Sequence, residues 1–212
     1  MKEEEGRMQT KEKKYAINER TVKKIMEKNS GYITTKQAGY LGISGGYLKQ
    51  MVDNGTIEKV GKGLYMDALE YPDTLHILNM QCPKIKFSHM TALSFYDMSE
   101  IAPYDSWDIT VPYGYHDDRL RRHNLHYVDK DIFELGLSSG QTICGNWVRA
   151  YDPERCICDI IKGRQKIDFE YVKYSVREYL SREDKNWHNL SLYSKLLGIE
   201  MKVMSYIDLV RI

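Results

Sequence analysis

The run of local structure signals between residues 18 and 66 constrains the fold of this chain more than any other feature. The first signal is a helix from Asn18 to Lys28, which Asn18 can cap and along which apolar residues recur at helical spacing. Its apolar stripe consists of Val22, Ile25 and Met26. Asn29-Ser30-Gly31 is then expected to end the helix, because glycine and asparagine favour a helix terminus.

A second helix is predicted shortly afterwards. Thr34 and Gln37 have the spacing of a capping box, in which each side chain satisfies a free backbone donor at the helix start. The helix is expected to end near Gly42, and the preceding Tyr32-Ile33 pair to be a short extended link. The apolar residues expected on its buried face are Ala38 and Leu41.

A third helix is predicted from Ser44, its expected cap, to about Asp53, with Asn54-Gly55 as its stop. At about 100° per residue, its inward positions are Leu48, Met51 and Val52. Its outward positions are Gly46, Lys49, Gln50 and Asp53, with Tyr47 at the edge. A short helix with small and polar residues at its N-terminal end is typical of a helix that reads DNA.

Two short strands close this region. Residues 57–60 and 64–66 are predicted to be strands, and Gly61-Lys62-Gly63 joins them as a short hairpin with a basic tip. The order of helix, helix, turn, helix and hairpin is that of a winged helix-turn-helix. We therefore expect a DNA-binding domain over residues 17–67, preceded by a frayed or disordered leader over residues 1–16.

The charge distribution favours the same interpretation. Residues 1–66 carry 13 Lys and Arg against 8 Asp and Glu, a balance of 13 − 8 = +5. The remaining residues carry 18 against 22, a balance of 18 − 22 = −4. A basic N-terminal third fits a surface that binds a polyanion, although chance asymmetry would produce the same numbers.

The candidate DNA contacts come from three places in the predicted domain. The third helix offers side chains for base edges, the hairpin offers lysines for phosphate, and the start of the second helix offers a positive helix end. The candidates are Thr34, Thr35, Lys36, Ser44, Gly46, Tyr47, Lys49, Gln50, Lys59 and Lys62. The alternative is a small helical domain that contacts proteins instead of DNA.

Residues 68–212 are expected to form a second domain in which helices pack on a mixed sheet, which makes the fold class α/β or α+β. Strands are predicted at 84–87, 107–111, 124–128, 132–137 and 146–151. Helices are predicted at 73–81, from Ser88, from Pro153, and at 168–180, 189–197 and 200–210.

The sequence offers little support for catalysis, a cofactor or a metal site. The spacing of its four cysteines does not match common zinc pairs, so reduced, mostly buried thiols in a cytoplasmic protein are expected. His116, His123 and His126 lie in a polar stretch that is expected to be a solvated surface rather than a metal site. A metal-dependent catalytic site needs two carboxylates, and no second acidic residue lies at a sequence spacing that would pair it with Asp108. No segment is long and apolar enough to suggest a membrane span.

Several segments of the chain resemble the AbiEi antitoxins of type IV toxin–antitoxin, or abortive-infection, operons. The resemblance begins in the predicted winged helix and continues in order through the second domain. Its segments are Gly31–Ala38, Gly61–Tyr65, Phe87–Leu93, Trp107–Pro112 and Tyr151–Ile161. The last is similar to the start of a late helix in that family, with Cys156 where threonine is usual.

The resemblance implies a repressor of its own operon that binds inverted repeats in double-stranded promoter DNA. It also implies a second domain that antagonises a nucleotidyltransferase-type toxin without forming a stable complex. Asp159 is the candidate residue in that domain, and a structural role is expected for it. Two alternatives remain open: a ligand-responsive regulator, which a pocket of convergent polar groups would favour, and an enzyme with a metal beside Asp108.

Overall fold

The computed structural model describes residues 15, 17–100, 106–163 and 167–210 of the 212-residue chain. The expected leader over residues 1–16 lies outside the described residues except for Tyr15, which is helical. The chain divides into two compact units, Met1–Gln81 and Cys82–Ile212. Each unit is described separately below.

The first unit has four helices and a three-stranded antiparallel sheet among its described residues. The strand order is β1-β3-β2. In chain order the elements are α1 (17–28), β1 (Tyr32–Thr34), α2 (Thr35–Tyr40), α3 (Gly45–Asp53), β2 (Ile57–Gly61), β3 (Leu64–Asp67) and α4 (Thr74–Gln81). The winged helix-turn-helix predicted from the sequence is therefore present, with one more strand than expected. That strand is the Tyr32-Ile33 link, which pairs with β3.

The start of α1 differs from the prediction. Tyr15 and Ile17 are already helical, so Asn18 lies inside the helix and is not its cap. The predicted stripe is correct, since Val22 and Met26 are fully buried and Ile25 packs against the same core. The apolar stripe therefore located the helix, whereas the capping signal misplaced its first residue.

The two faces of the sheet bury different side chains. Because side chains alternate along a strand, Ile33 and Tyr65 lie on one face and Tyr32, Leu64 and Met66 lie on the other. The first face joins the core formed with the three N-terminal helices. The second face packs against side chains of α4, including Ile77 and Met80. Helix α4, which the sequence had placed in the second domain, is consequently grouped with the first unit.

Leu41 corrects the expected core. It was predicted to be buried with Ala38, but it is 50% exposed, whereas Ala38 is fully buried. The reason is that α2 ends at Tyr40 and Leu41 is its C-terminal cap residue. The turn through Gly42, at a φ of +71°, then carries the chain away, and Ile43 occupies the core instead.

The second unit has a five-stranded mixed sheet with helices packed around it, which confirms the predicted fold class. The strand order is β6-β5-β4-β8-β7, with β4–β8 and β5–β6 parallel and the other pairs antiparallel. Its strands are β4 (Lys86–Phe87), β5 (Asp108–Pro112), β6 (Asn124–Val128), β7 (Leu137–Gln141) and β8 (Trp147–Tyr151). Its helices are α5 (His89–Ser94), α6 (Lys130–Phe133), α7 (Pro153–Lys162), α8 (Phe169–Ser181), α9 (Trp187–Leu196) and α10 (Glu200–Val210).

The predicted strand at 132–137 is wrong. The chain instead forms α6, turns through Gly136 at a φ of +75°, and begins β7 at Leu137. The buried guanidinium of Arg155 accounts for this, because its Nη1 donates to the carbonyl oxygens of Ile132 and Leu135, each at 2.9 Å. The Arg155 side chain, distant in sequence, thus binds two backbone carbonyl oxygens that would otherwise accept hydrogen bonds within a sheet.

Helix α7 lies at the centre of the second unit. Asp152 caps it by accepting a hydrogen bond from the backbone of Arg155, and Pro153 stands in its first turn, where no amide donor is needed. Every residue from Glu154 to Ile161 is buried. The helix therefore packs on all sides, as expected for an element in the core of a larger domain.

No helix in the described part of the chain combines the length and the apolar character that crossing a membrane would require.

Candidate nucleic-acid interface

The candidate recognition helix α3 is built as its sequence predicts. The Ser44 hydroxyl accepts a hydrogen bond from the backbone of Tyr47, which fixes the first turn. Leu48 and Met51 are fully buried in the core of the first unit. The residues exposed on the opposite side are Ser44, Gly45, Gly46, Lys49, Gln50 and Asp53. The helix thus combines an anchored apolar side with a polar side open to solvent.

The two glycines at the start of α3 are not required by the fold of the protein itself. Neither is in the left-handed region. A Cβ built at Gly45 would meet no atom within 4 Å, and one at Gly46 would meet only the Ser44 hydroxyl, at 3.8 Å. Internal packing therefore does not demand glycine at either position, and the small residues leave the start of α3 accessible from outside the protein.

Tyr47 has a role that the sequence did not predict. Its hydroxyl donates to the backbone oxygen of Tyr15 at 2.7 Å, and the two rings lie 4.9 Å apart between centroids. Asn54, just after α3, donates to the Tyr15 hydroxyl at 2.9 Å. Burial raises the pKa of Tyr47 to about 12. The structure therefore uses Tyr47 to hold Tyr15 beside α3.

The start of α2 contains the capping box that the sequence predicts. The Thr34 hydroxyl accepts from the Gln37 backbone at 3.1 Å, and the Gln37 side chain accepts from the Thr34 backbone at 2.8 Å. The Thr34 hydroxyl also donates to the Gln37 side chain. Of the three candidate DNA contacts in this segment, Thr34 thus uses its hydroxyl in hydrogen bonds within the protein. Lys36 is exposed, and its Nζ lies 5.8 Å from the centroid of the Tyr40 ring.

The wing is tied to the start of α2 through Thr35. Its backbone N–H donates to the oxygen of Gly63 at 2.8 Å, and its hydroxyl donates to the same oxygen at 3.3 Å. Gly63 has a φ of +66°, which glycine tolerates better than other residues. The neighbouring Lys62, at the tip, is exposed, as is Lys59 on β2. Thr35 therefore fixes the position from which Lys62 extends.

Tyr40 was missed by the sequence analysis. It is 76% exposed at the end of α2, beside the exposed Leu41. The two form a small apolar surface on the helix that precedes the candidate recognition helix. The signal that could have revealed them is the shortness of α2, which has six residues and therefore too few turns to bury both of its large C-terminal side chains.

In the second unit, Asp159 forms an ion pair with Arg155. The Nε atom of Arg155 donates to both carboxylate oxygens of Asp159, at 3.0 and 3.1 Å. Arg155 is fully buried and Asp159 is 7% exposed. With the Arg155 bonds to the backbone around α6, this network ties α7 to the segment between α6 and β7.

The histidine-rich stretch is not the solvated surface that was expected. His123 is buried, and its ring stacks on Trp107 with centroids 4.5 Å apart. Its Nδ1 accepts from the Trp107 backbone at 3.2 Å, and burial lowers its pKa. His126 pairs with Asp108 at 3.0 Å, whereas His116 is exposed. No cluster of three or more potential metal ligands occurs among the described residues.

Comparison with known family models finds a match within the first unit. Residues 20–66 match the model of a family described as "Transcriptional regulator, AbiEi antitoxin". The match covers the segment from α1 to β3, and it confirms the resemblance for this part of the chain. No curated protein matches the sequence.

A solved structure resembles most of the chain in fold. It is the crystal structure of the RV2827C protein from Mycobacterium tuberculosis, with a TM-score of 0.51 and 11% sequence identity. The alignment covers 92% of this chain and 81% of that chain. At this identity the likeness concerns the fold alone, and it extends beyond the winged helix into the second unit.

Proposed function

We propose that this chain is an antitoxin that also represses its own operon. The first unit binds inverted repeats in double-stranded operator DNA. The second unit antagonises a nucleotidyltransferase-type toxin, without catalysis and without forming a stable complex with it. Both activities take place in the cytoplasm, where the promoter DNA lies.

The observation that carries the DNA-binding proposal is the exposed side of α3. Its N-terminal end has two glycines that the fold does not need, followed by the exposed Lys49 and Gln50. Glutamine can form a paired hydrogen bond with the major-groove edge of adenine, and lysine can contact guanine or phosphate. The match of residues 20–66 to a family of transcriptional regulators supports the same conclusion.

The wing supplies the second contact. Lys62 is exposed at the hairpin tip, and its position is set by the two bonds from Thr35 to Gly63. Thr35 begins α2, the helix that leads into α3 through a short turn. Recognition helix and wing are therefore held in a fixed relation before DNA binds, which reduces the entropy lost on binding.

The test separates base reading from phosphate contact by titrating full-length protein with operator and random DNA at several salt concentrations. Gln50→Ala is expected to lower the preference for operator by roughly 1–3 kcal/mol. Lys62→Ala is expected to weaken binding to both DNAs alike and to reduce the salt slope by about one. The matched control is Lys202→Ala, which removes an exposed lysine from α10 and should change neither quantity.

The DNA-binding proposal fails if Gln50→Ala and Lys62→Ala both behave like Lys202→Ala. A variant with both substitutions guards against compensation between the two contacts. Thermal melts of each variant are expected to match the unsubstituted protein, because both side chains are exposed and removing them leaves the core intact.

The antitoxin half of the proposal is tested separately. Co-expression of the chain with the neighbouring gene of its operon should relieve growth inhibition by that gene. A truncated chain that begins at Cys82 should lose operator binding and retain the protection. A folded truncated chain that gives no protection, when the full chain does, would contradict this division between the two units.

A further inference from the structure

The edge strand β7 of the second unit lacks the features that usually protect the edge of a sheet. One side of its backbone pairs with β8, and within the described residues no strand pairs with its other side. Lysine, proline and bulges are the common devices that stop an edge strand from pairing with another chain. β7 contains neither lysine nor proline, and it pairs with β8 in an unbroken register. Its exposed residues are Leu137, Ser138, Ser139 and Gln141.

The longest stretch of the sequence without Asp, Glu, Lys or Arg covers the same hairpin. It runs from residue 135 to residue 148, in a chain that is 29% charged, and it contains no proline or histidine. The other edge strand of the sheet, β6, is closely flanked by charged residues. They include Arg121, Arg122, Asp129 and Lys130. One edge of the sheet is therefore flanked by charge, whereas the β7 edge is neutral.

Hydrogen bonds at both ends of the hairpin show which backbone groups of β7 face outward. The N–H of Asp152 donates to the oxygen of Gly136 at 2.8 Å, and the N–H of Thr142 donates to the oxygen of Asn146 at 2.9 Å. Hydrogen-bonded pairs alternate along an antiparallel ladder, so the even-numbered residues of β7 bond to β8. The odd-numbered residues direct their N–H and C=O groups away from β8. They are Leu137, Ser139 and Gln141.

Two of these outward groups have partners within the chain. The N–H of Leu137 donates to the oxygen of Glu134 at 3.1 Å, and the oxygen of Ser139 lies 3.5 Å from the Tyr96 hydroxyl. A carbonyl oxygen can accept a second hydrogen bond. Exposed apolar side chains lie beside the same edge, since Leu137 is 46% and Trp147 is 61% exposed. Both are on one face of the sheet, because Trp147 lies opposite Gln141 in the register.

We infer that β7 pairs antiparallel with β7 of a second copy of this chain, about a two-fold axis at Ser139. This pairing sets the two Ser139 residues opposite each other and Leu137 opposite Gln141 of the second copy, so the outward backbone groups meet. A two-fold axis brings each side chain near its own counterpart, and a charge at the edge would therefore face a like charge. The neutral stretch over residues 135–148 fits a second copy for this reason. The inference does not depend on DNA binding by the first unit.

Sedimentation equilibrium of the full chain, without DNA and over a wide concentration range, tests the inference. The parent chain should show a reversible equilibrium between monomer and dimer. Ser139→Lys should raise the dissociation constant of the dimer by about tenfold or more, because it places two positive charges opposite each other. The matched control is Asn124→Lys, which makes the same charge change at an exposed residue of β6 and should leave that constant unchanged. Both variants should melt like the parent chain, since both side chains are exposed.

Disulfide trapping tests the position of the two-fold axis in a chain whose exposed thiol is removed by Cys144→Ser. Ser139→Cys should link two copies under mild oxidation, because the Cα atoms of a hydrogen-bonded pair lie about 5.5 Å apart, within the range of a disulfide. Ser138→Cys is the matched control and should not link them, since its side chain points to the other face of the sheet.

The inference is wrong if the chain stays monomeric at every concentration, if Ser139→Lys leaves the dimer unchanged, or if Ser138→Cys links copies as readily as Ser139→Cys. A monomeric chain in which Ser139→Lys abolishes the proposed protection against a toxin would assign this edge to a different partner, and it would overturn the inference as well. None of these outcomes bears on the proposed DNA binding, which is measured separately.

Discussion

The two units of this protein use their polar side chains in opposite ways. Between residues 17 and 66 the buried side chains are apolar, and the polar ones lie at the surface or in caps. The second unit buries charged and polar groups, among them Lys86, Glu154, Arg155 and Asp159. The winged helix over residues 17–66 therefore exposes its polar side chains to solvent, whereas several polar groups of the second unit lie in its core.

This difference determines how substitutions should be read. In the winged helix, changing an exposed polar side chain is expected to leave stability almost unchanged, so its effect should fall on the proposed binding to DNA. In the second unit, removing one member of a buried polar pair leaves the other without a partner, so stability falls first. The four predictions below test this contrast, from the largest expected effect to the smallest.

The largest effect should come from removing α4 from the first unit. A fragment that ends at Gln81 should melt cooperatively. A fragment that ends at Ala68 should show no cooperative transition, because it exposes the side chains of Tyr32, Leu64 and Met66. Burying a large apolar side chain is worth about 1.5–3 kcal/mol, and a domain of this size is stable by only a few kcal/mol.

Circular dichroism melts of the two fragments provide the measurement. Equal cooperative transitions would show that the winged helix folds without α4 packed on its sheet. The domain boundary expected at residue 67 would then be correct. The fragment that ends at Gln81 serves as the matched control, since it differs from the other only in the linker and α4.

The second prediction concerns the buried pair in the second unit. Asp159→Ala should lower the free energy of unfolding by about 3–5 kcal/mol, because it leaves the guanidinium of Arg155 buried without its carboxylate. The control is Asp184→Ala, which breaks a surface pair with Arg182 and should cost at most about 1 kcal/mol. Unfolding of the full chain in guanidinium chloride measures both changes in the free energy of unfolding.

The same two variants distinguish a structural role of Asp159 from a functional one. If its role is structural, the proposed protection against a toxin should fall in proportion to the loss of stability. Loss of protection by Asp159→Ala at an unchanged denaturation midpoint would contradict the contrast drawn here, because a buried polar group would then act directly on a partner.

The third prediction is a pH dependence from Asp152, whose pKa burial raises to about 6. A carboxyl with a higher pKa in the folded than in the unfolded state favours folding when protonated. The ionised Asp152 carboxylate therefore lowers the free energy of unfolding. This effect is absent below about pH 4 and fully present above about pH 6. Asp152→Asn removes this contribution and retains a side chain that can cap α7.

The measurement is the free energy of unfolding of both proteins from pH 4 to pH 7. We subtract the free energy of unfolding of Asp152→Asn from that of the unsubstituted protein at each pH. This difference should decrease by about 1–3 kcal/mol as the pH rises. A difference that stays constant or increases over this range would show that the hydrogen bonds from Arg155 and Tyr193 stabilise the carboxylate more than burial destabilises it.

Local signals in the sequence predicted much of this structure because they act over a few residues. The capping box of Thr34 and Gln37, the Ser44 cap and the apolar stripe of α3 all lie within one or two helical turns. These signals located α2 and α3 and assigned the exposed side of α3, where the candidate DNA contacts Lys49 and Gln50 lie.

Other features could not be predicted because distant residues decide the local structure. The strand predicted at 132–137 is absent because Arg155 takes the backbone oxygens at 132 and 135. His126 meets Asp108 only because β5 and β6 are parallel, and no spacing within the sequence specifies that pairing. The tie between Thr35 and Gly63 likewise depends on the packing of the wing against α2.

The smallest effects are expected within the first unit, where Thr34 and Thr35 adjoin in sequence but differ in role. Thr34→Val should lower the free energy of unfolding by about 1 kcal/mol, because it removes the hydroxyl of the capping box. Thr35→Val should cost less stability, since its backbone bond to Gly63 remains, but it should weaken operator binding by loosening the wing that carries Lys62.

The matched control is Thr21→Val on α1, whose hydroxyl bonds to the oxygen of Ile17. It should leave operator affinity unchanged. If Thr34→Val weakened operator binding more than Thr35→Val at equal stability, the capping box would be part of the DNA-binding surface.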